Sequence, residues 1–246
     1  MIQELGPGFR LTLILTILTG LVYPVAMTGI SQVIFPKQAN GSLVTVNGKV
    51  VGSSSIAQAF TRPEYFHPRP SSAGSGYDGG LSAGSNLGPT SSKLLRGTTK
   101  TDDKKNEVVD FEGINLRIVR YCLDNDIPYE SSVPLDPFKG AQGNVDDAKL
   151  IKAFNDEKAP LVFTAKTLIP ADAVTASSSG LDPHISPANA DVQAARVAKA
   201  RNTSADQVKQ LIAESTARSD LGILGESGVN VLMLNIALDR RFPISK

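Results

Sequence analysis

Leu11-Thr-Leu-Ile-Leu-Thr-Ile-Leu-Thr-Gly-Leu-Val22 is apolar on every face rather than along one stripe, and no residue between Leu11 and Pro36 is charged. A helix that is hydrophobic all round belongs in lipid or deep in a core. As a helix this stretch reaches roughly 37 Å at 1.5 Å per residue, enough to cross a hydrocarbon layer roughly 30 Å thick with some tilt. A cleaved secretory signal would carry a shorter apolar region and a small-x-small site, and the surroundings of Pro24, Ala26 and Thr28 supply a poor one. The reading is therefore an uncleaved anchor: a short N terminus over 1–10, a transmembrane helix over 11–35, and a domain over 36–246. Arg10 flanks one end and Lys37 the other, so charge alone sets no orientation.

Thr12, Thr16, Gly20, Pro24 and Thr28 recur every fourth residue. Small residues at that spacing let a second helix approach closely in lipid, although threonine and glycine are also simply common in such helices. Pro24 leaves a carbonyl unpaired in mid-helix, a defect best repaired by a neighbouring helix or water.

The rest of the chain narrows the function by exclusion. Of 246 residues, 25 are Lys or Arg and 24 Asp or Glu, a net charge of +1, which gives no electrostatic footprint for nucleic acid. One cysteine, Cys122, cannot close an internal disulfide, and two histidines, His67 and His184, are too few soft ligands for a structural zinc site.

Leu43–Val46 and Lys49–Val51 read as strands joined at Asn47-Gly48, a pair that accepts the positive φ of a tight hairpin turn. Thr61 to Pro89 is too dense in proline and glycine for regular structure, and Thr98 to Glu107 reads as a charged surface loop. Leu116, Val119 and Leu123 share a helical face with Cys122 beside them, while Arg117, Arg120 and Asp124 point elsewhere. Asn144 reads as the cap of a helix that turns Leu150, Ile151 and Phe154 inward. Leu161–Thr164 is a strand candidate, Ser186-Pro187 a capped helix start, and Ser204 opens another helix that buries Val208, Leu211 and Ile212. Val229–Leu238 reads as a closing apolar strand. These elements make an α+β domain on a single N-terminal transmembrane helix.

Ser177, Ser178 and Ser179 beside Asp182 and His184 supply the residue types of a hydrolytic triad. No Gly-x-Ser-x-Gly elbow surrounds them, and Asp182-Pro183-His184 before Ser186-Pro187 reads better as a turn feeding a helix. His67, between Phe66 and Pro68, reads as a packed loop residue. Neither of the usual phosphate-cradling glycine motifs is present. The loop Gly79–Gly88, with its Ser82–Asn86 core, contains no lysine, and Lys93 and Arg96 follow only after Pro89. No catalytic, cofactor-binding or metal-binding residue is assigned; a membrane-anchored extracytoplasmic hydrolase using His184 is the alternative.

Four blocks in order then carry a resemblance: Leu15–Pro24 with Phe35–Leu43; Tyr65–Ser71 with Ser82–Thr90; Pro170–Ala188; and Leu221–Glu226 with Val229–Asn235. Ser179-Gly-Leu-Asp-Pro-His-Ile-Ser-Pro187 is the most specific string. Together they resemble the C subunits of Kdp-type potassium-transporting P-type ATPases, over residues 11–96 and 168–240. The resemblance implies an inner-membrane, single-pass protein whose domain is extracytoplasmic. It also implies partners: a channel-like A subunit, an ATP-hydrolysing B subunit and a small F subunit, which between them handle ATP, Mg and K+. The C subunit would bind no cofactor directly; it would serve assembly and act as a catalytic chaperone raising the B subunit's ATP affinity. The stretch from about 97 to 167 reads as an insertion longer than the usual C subunit carries, of which transport could spare about Thr98 to Pro160.

Overall fold

A computed structural model describes residues 2–139, 145–217 and 225–244. Two compact units divide at Ser55 and Ile56.

The first unit is led by one continuous helical rod: α1 (Ile2–Ile17), a π turn (Leu18–Val22) and α2 (Tyr23–Ile34). Leu5–Ile34 is long and apolar enough to cross a membrane, and none of its most apolar window is buried within the protein. The helix thus begins before the expected Leu11. Pro24 explains the π turn. In a regular helix its ring would press on the Gly20 carbonyl and its missing N–H would break the ladder; one residue earlier the Tyr23 N–H reaches back five residues to the Leu18 carbonyl, widening the coil. A stripe at every fourth residue drifts about 40° per step round a 3.6-residue helix, and this wider turn takes part of that drift back. Thr12, Thr19 and Thr28 donate their hydroxyls to the carbonyls four residues earlier, at 2.9, 2.7 and 2.8 Å, so these polar groups are satisfied within the helix itself.

A short helix, α3 (Pro36–Ala39), turns the chain into the expected hairpin of β1 (Leu43–Val46) and β2 (Lys49–Ser53). Asn47 and Gly48 both have positive φ, 52° and 76°, as that two-residue turn requires.

The second unit has no helix or strand before α4 (Ser92–Arg96). β3 (Thr98–Thr101) and β4 (Glu107–Phe111) form an antiparallel hairpin where a surface loop was expected. Its charged turn hides the pattern: Asp102 accepts the Lys104 and Asn106 backbone N–H groups and closes it. Helix α5 (Ile114–Asp124) buries Leu116, Val119 and Cys122, as read, but also Arg117, which was expected to face outward and is only 8% exposed. The Arg117 guanidinium is held by the Val174 carbonyl at 3.2 Å and by Glu112. β5 (Tyr129–Ser131) pairs with β6 (Phe163–Ala165), and between them α6 (Asp147–Phe154) turns Leu150, Ile151 and Phe154 inward. Its cap is Asp146, which accepts the Lys149 N–H; Asn144 lies outside the described residues.

After α7 (Ala171–Val174) come β7 (His184–Ile185), α8 (Pro187–Ala200), α9 (Ala205–Ser215) and β8 (Thr216–Ala217). Ser186 and Ser204 cap the two long helices, the latter in a full capping box with Gln207. The closing segment corrects the sequence reading. Only Gly228–Asn230 is a strand, β9, lying between β7 and β8; Val231–Arg241 is a helix, α10. Asn230 caps it by accepting the Met233 N–H, and Val231, Leu234, Asn235 and Leu238 then recur at helical spacing on the buried side.

Among the described residues two hydrophobic clusters result. One gathers Phe66 and Ile185 with α8, α9, β9 and α10; the other gathers Leu116, Val119, Leu135, Leu150, Ile151, Phe154 and Leu161 from the 97–167 stretch.

Candidate functional site

The two most distinctive loop segments of the sequence lie against each other. Arg69 Nη1 donates to Asp182 Oδ2 at 3.0 Å, Ser71 Oγ to the Gly180 carbonyl at 2.6 Å, and Ser82 Oγ to the Ser179 carbonyl at 3.0 Å. Gly180 adopts φ +67°, and a Cβ there would stand 2.5 Å from the Ala83 carbonyl. Glycine is therefore required twice at this position, by its torsion and by the close approach. Gly84 is equally tight, since a Cβ would meet the Ser178 carbonyl at 2.7 Å.

Buried side-chain amides fasten the start of the loop to the helices. Asn235 Oδ1 accepts the Phe66 N–H at 2.9 Å and its Nδ2 donates to the Phe66 carbonyl at 3.0 Å. Gln193 does the same for His67, at 2.8 and 3.1 Å. Arg196 donates to the Pro63 and Tyr65 carbonyls, and Arg201, whose side chain is fully buried, to the Glu64 and Phe242 carbonyls and to Asp239. A chain without regular structure has no ladder for its peptide groups, so these side chains supply the partners that a sheet would. The His67 ring is held neutral: burial, with the nearby Arg196 charge, lowers its pKa from 6.5 to about 4.

Beside this seam opens a cavity of about 520 Å³, lined among others by Arg69, Asp172, Thr175, Asp182, His184, Ser186 and Glu226. Two of its acids, Asp172 and Asp182, are already engaged. Asp172 accepts from the Ser186 N–H and Oγ at 2.7 and 2.9 Å and from Asn189 Nδ2 at 3.0 Å. Asp182 accepts the His184 N–H at 2.9 Å as well as Arg69; the His184 imidazole, that N–H and Arg69 together hold its carboxyl below the usual range despite partial burial.

The hydrolytic set is brought near but not assembled. His184 Nδ1 lies 3.6 Å from Asp182 Oδ1, longer than a hydrogen bond, and among the described residues no hydrogen bond joins the His184 ring to a serine. Ser177 and Ser179 share a hydroxyl contact at 3.3 Å, and Ser179 Oγ also accepts the Leu181 N–H. The loop Gly79–Gly88 spends Ser82 and Gly84 on the 177–180 segment. Of Leu221–Glu226, residues 221–224 lie outside the described residues. Sequence reasoning passed over Asn235, Gln193, Asn189 and Asp172. The one available signal was a polar amide at a core position of an apolar helix, as Asn235 is between Leu234 and Leu238.

The fold and this seam define a class: a mixed helix and strand body that follows in sequence the one helix, among the described residues, long and apolar enough to span a bilayer. A family profile described as K+-transporting ATPase, c chain, matches residues 5–137 and 138–240. The chain belongs to this family, KdpC. It is 43% identical over 238 residues to the potassium-transporting ATPase KdpC subunit of Mycobacterium tuberculosis, covering 97% of this chain and 98% of that one. It is likewise 43% identical to the KdpC subunit of Rhodospirillum rubrum over 245 residues and 100% of both chains, and 41% identical to that of Beijerinckia indica over 246 residues. The full-length match takes in the 97–167 stretch.

Proposed function

We infer that the chain is the non-catalytic accessory subunit of an ATP-driven potassium import complex, working with a channel-like A subunit, an ATP-hydrolysing B subunit and a small F subunit. The full-length similarity to KdpC subunits carries this reading. Its body lies outside the inner membrane, held by the N-terminal helix, and it serves assembly. A domain there reaches cytoplasmic ATP only through coupling, so the chaperone effect is a shift in the B subunit's conformational populations. The body itself handles no ATP, Mg or K+: the acids and serines of the seam are used as acceptors and donors for the fold, and the loop Gly79–Gly88 offers no lysine for phosphates.

Purification from membranes through a tag on this chain tests the reading. The expected result is co-isolation of a channel-like and a P-type subunit, with a higher apparent KM for ATP in the complex lacking this chain. Isolation of the chain alone from intact membranes overturns it. Saturable, magnesium-dependent ATP binding by the body from Lys37 onward, abolished by changes in Ser82 to Asn86, would overturn the indirect mechanism.

A further inference from the structure

The β1–β2 hairpin exposes three of its aliphatic residues, while Val44 and Val46 are half-buried. Leu43 is 55%, Val50 59% and Val51 38% exposed. The register sets Thr45 opposite Val50 and Leu43 opposite Ser53, so Leu43, Thr45 and Val50 share one face. A lone two-stranded hairpin is marginal in water, and a surface that covered Leu43 and Val50 would stabilise it.

The depth of that face follows from its ties. Asn40 Nδ2 donates to Gln32 Oε1 on α2 at 3.0 Å and to the Pro36 carbonyl at 2.7 Å, and the Ser42 N–H bonds the Lys37 carbonyl at 2.9 Å. Ser53 Oγ donates to the Gly41 carbonyl at 2.7 Å, closing the hairpin base. The hairpin is thus fastened to the end of the long helix. Counted from Leu11, next to the charged Arg10, to Ile34 the helix measures about 36 Å, against a hydrocarbon core of about 30 Å, so with Arg10 at one boundary Ile34 stands at or just past the other and the hairpin beyond it. The charge agrees: residues 36–55 contain Lys37 and Lys49 and no acid.

We propose that the β1–β2 hairpin lies in the headgroup layer of an anionic bilayer surface, with Leu43 and Val50 against the acyl boundary and Lys37 and Lys49 among the phosphates. The proposal rests on the helix Leu5–Ile34 spanning the membrane. It gives the hairpin a function, fixing the depth and tilt at which the helix sits, and identifies lipid rather than protein as its partner.

The chain has no tryptophan, so a single Val50→Trp is a clean probe. The full-length chain is placed in vesicles of phosphatidylcholine and phosphatidylglycerol, with and without brominated acyl chains. Leu168→Trp, at a body position that is 90% exposed, and Leu21→Trp, in the span, serve as references, and Leu43→Trp stands in should Val50→Trp fold badly. The expected result is blue-shifted emission at position 50, quenched by brominated lipid at least about twofold more than position 168, shielded from iodide, and weakened when phosphatidylglycerol is omitted. Iodide quenching equal to that at position 168 overturns the proposal. So does shielding from both iodide and brominated lipid, in the isolated chain or the whole complex, because protein would then be the cover. Lipid quenching at position 21 without quenching at position 50 sinks the hairpin proposal alone; its absence at both takes the spanning helix with it.

Discussion

The Asn235 side chain and the Phe66 peptide form a closed amide pair, N–H to Oδ1 at 2.9 Å and Nδ2 to carbonyl at 3.0 Å, wholly buried. Asn235→Leu keeps the volume and strands both Phe66 groups. Leaving a buried donor or acceptor unmade costs about 1–3 kcal/mol. At about 2–4 °C per kcal/mol for a chain of this size, the melting temperature of the purified protein should fall by several degrees. An unchanged melting curve would remove Asn235 from the account of the fold.

Arg69 and Asp182 are both partly exposed, so their 3.0 Å contact is worth less than a buried pair. A double-mutant cycle with Arg69→Ala and Asp182→Ala should give a coupling of about 0.2–1 kcal/mol in thermal unfolding. Asp182→Ala and His184→Ala should lower stability or assembly together with transport. A variant that assembled fully, melted normally and yet lost all activity would restore the hydrolase.

His67 predicts a pH dependence. Its folded pKa is about 4 against 6.5 when free, because burial and Arg196 disfavour the charged ring. Between those values the unfolded chain binds the extra proton, so stability is complete above about pH 6.5 and declines as pH falls toward about 4. Asp182, held below its usual range, adds a loss in the same direction at lower pH. His67→Asn should flatten the upper part of the curve, read by thermal melts across that window. An equally steep variant would exclude His67 as the cause.

The sequence reading held that transport could spare the stretch between about Thr98 and Pro160. The structure argues otherwise. Tyr121 Oη donates to Asn189 Oδ1 at 2.8 Å and Arg196 Nε to Asn125 Oδ1 at 3.1 Å, tying α5 to α8. Removing 98–160 should yield aggregated protein. Replacing only the Asp102–Asn106 turn by a shorter one should leave the size-exclusion profile unchanged. A monodisperse, transport-competent long deletion would contradict this.

In the membrane helix, Thr16→Leu with Gly20→Leu puts bulk on the small-residue stripe and should lower the yield of co-purified subunits, since bulk there holds helices apart. An unchanged yield would assign the stripe to composition alone.

Legibility followed the reach of the interactions. The apolar helix, the Asn47-Gly48 hairpin and the caps at Ser186 and Ser204 are set by neighbours in sequence, and the chain alone reveals them. The closing segment misled because Val229 to Leu234 is apolar without a break except Asn230, and that single cap decides for helix. Arg117 misled because a charge is normally solvated, while here the Val174 carbonyl and Glu112 receive it. The seam between residues 65–84 and 177–184 was visible as two motifs but not as one contact, since side chains far along the chain assemble it.

That separation has a consequence in time. Phe66 waits for an amide 169 residues downstream, and at about 5–20 residues per second the ribosome takes on the order of 10–30 s to deliver it. The apolar helix emerges long before, so the chain is committed to lipid while Tyr65 to Ser85 is still open. Contacts of such long range also close slowly. For that interval the loop is a substrate for proteases and chaperones on whichever side it emerges, and shortening the interval, rather than strengthening any one bond, is the direct route to a higher yield of the folded chain.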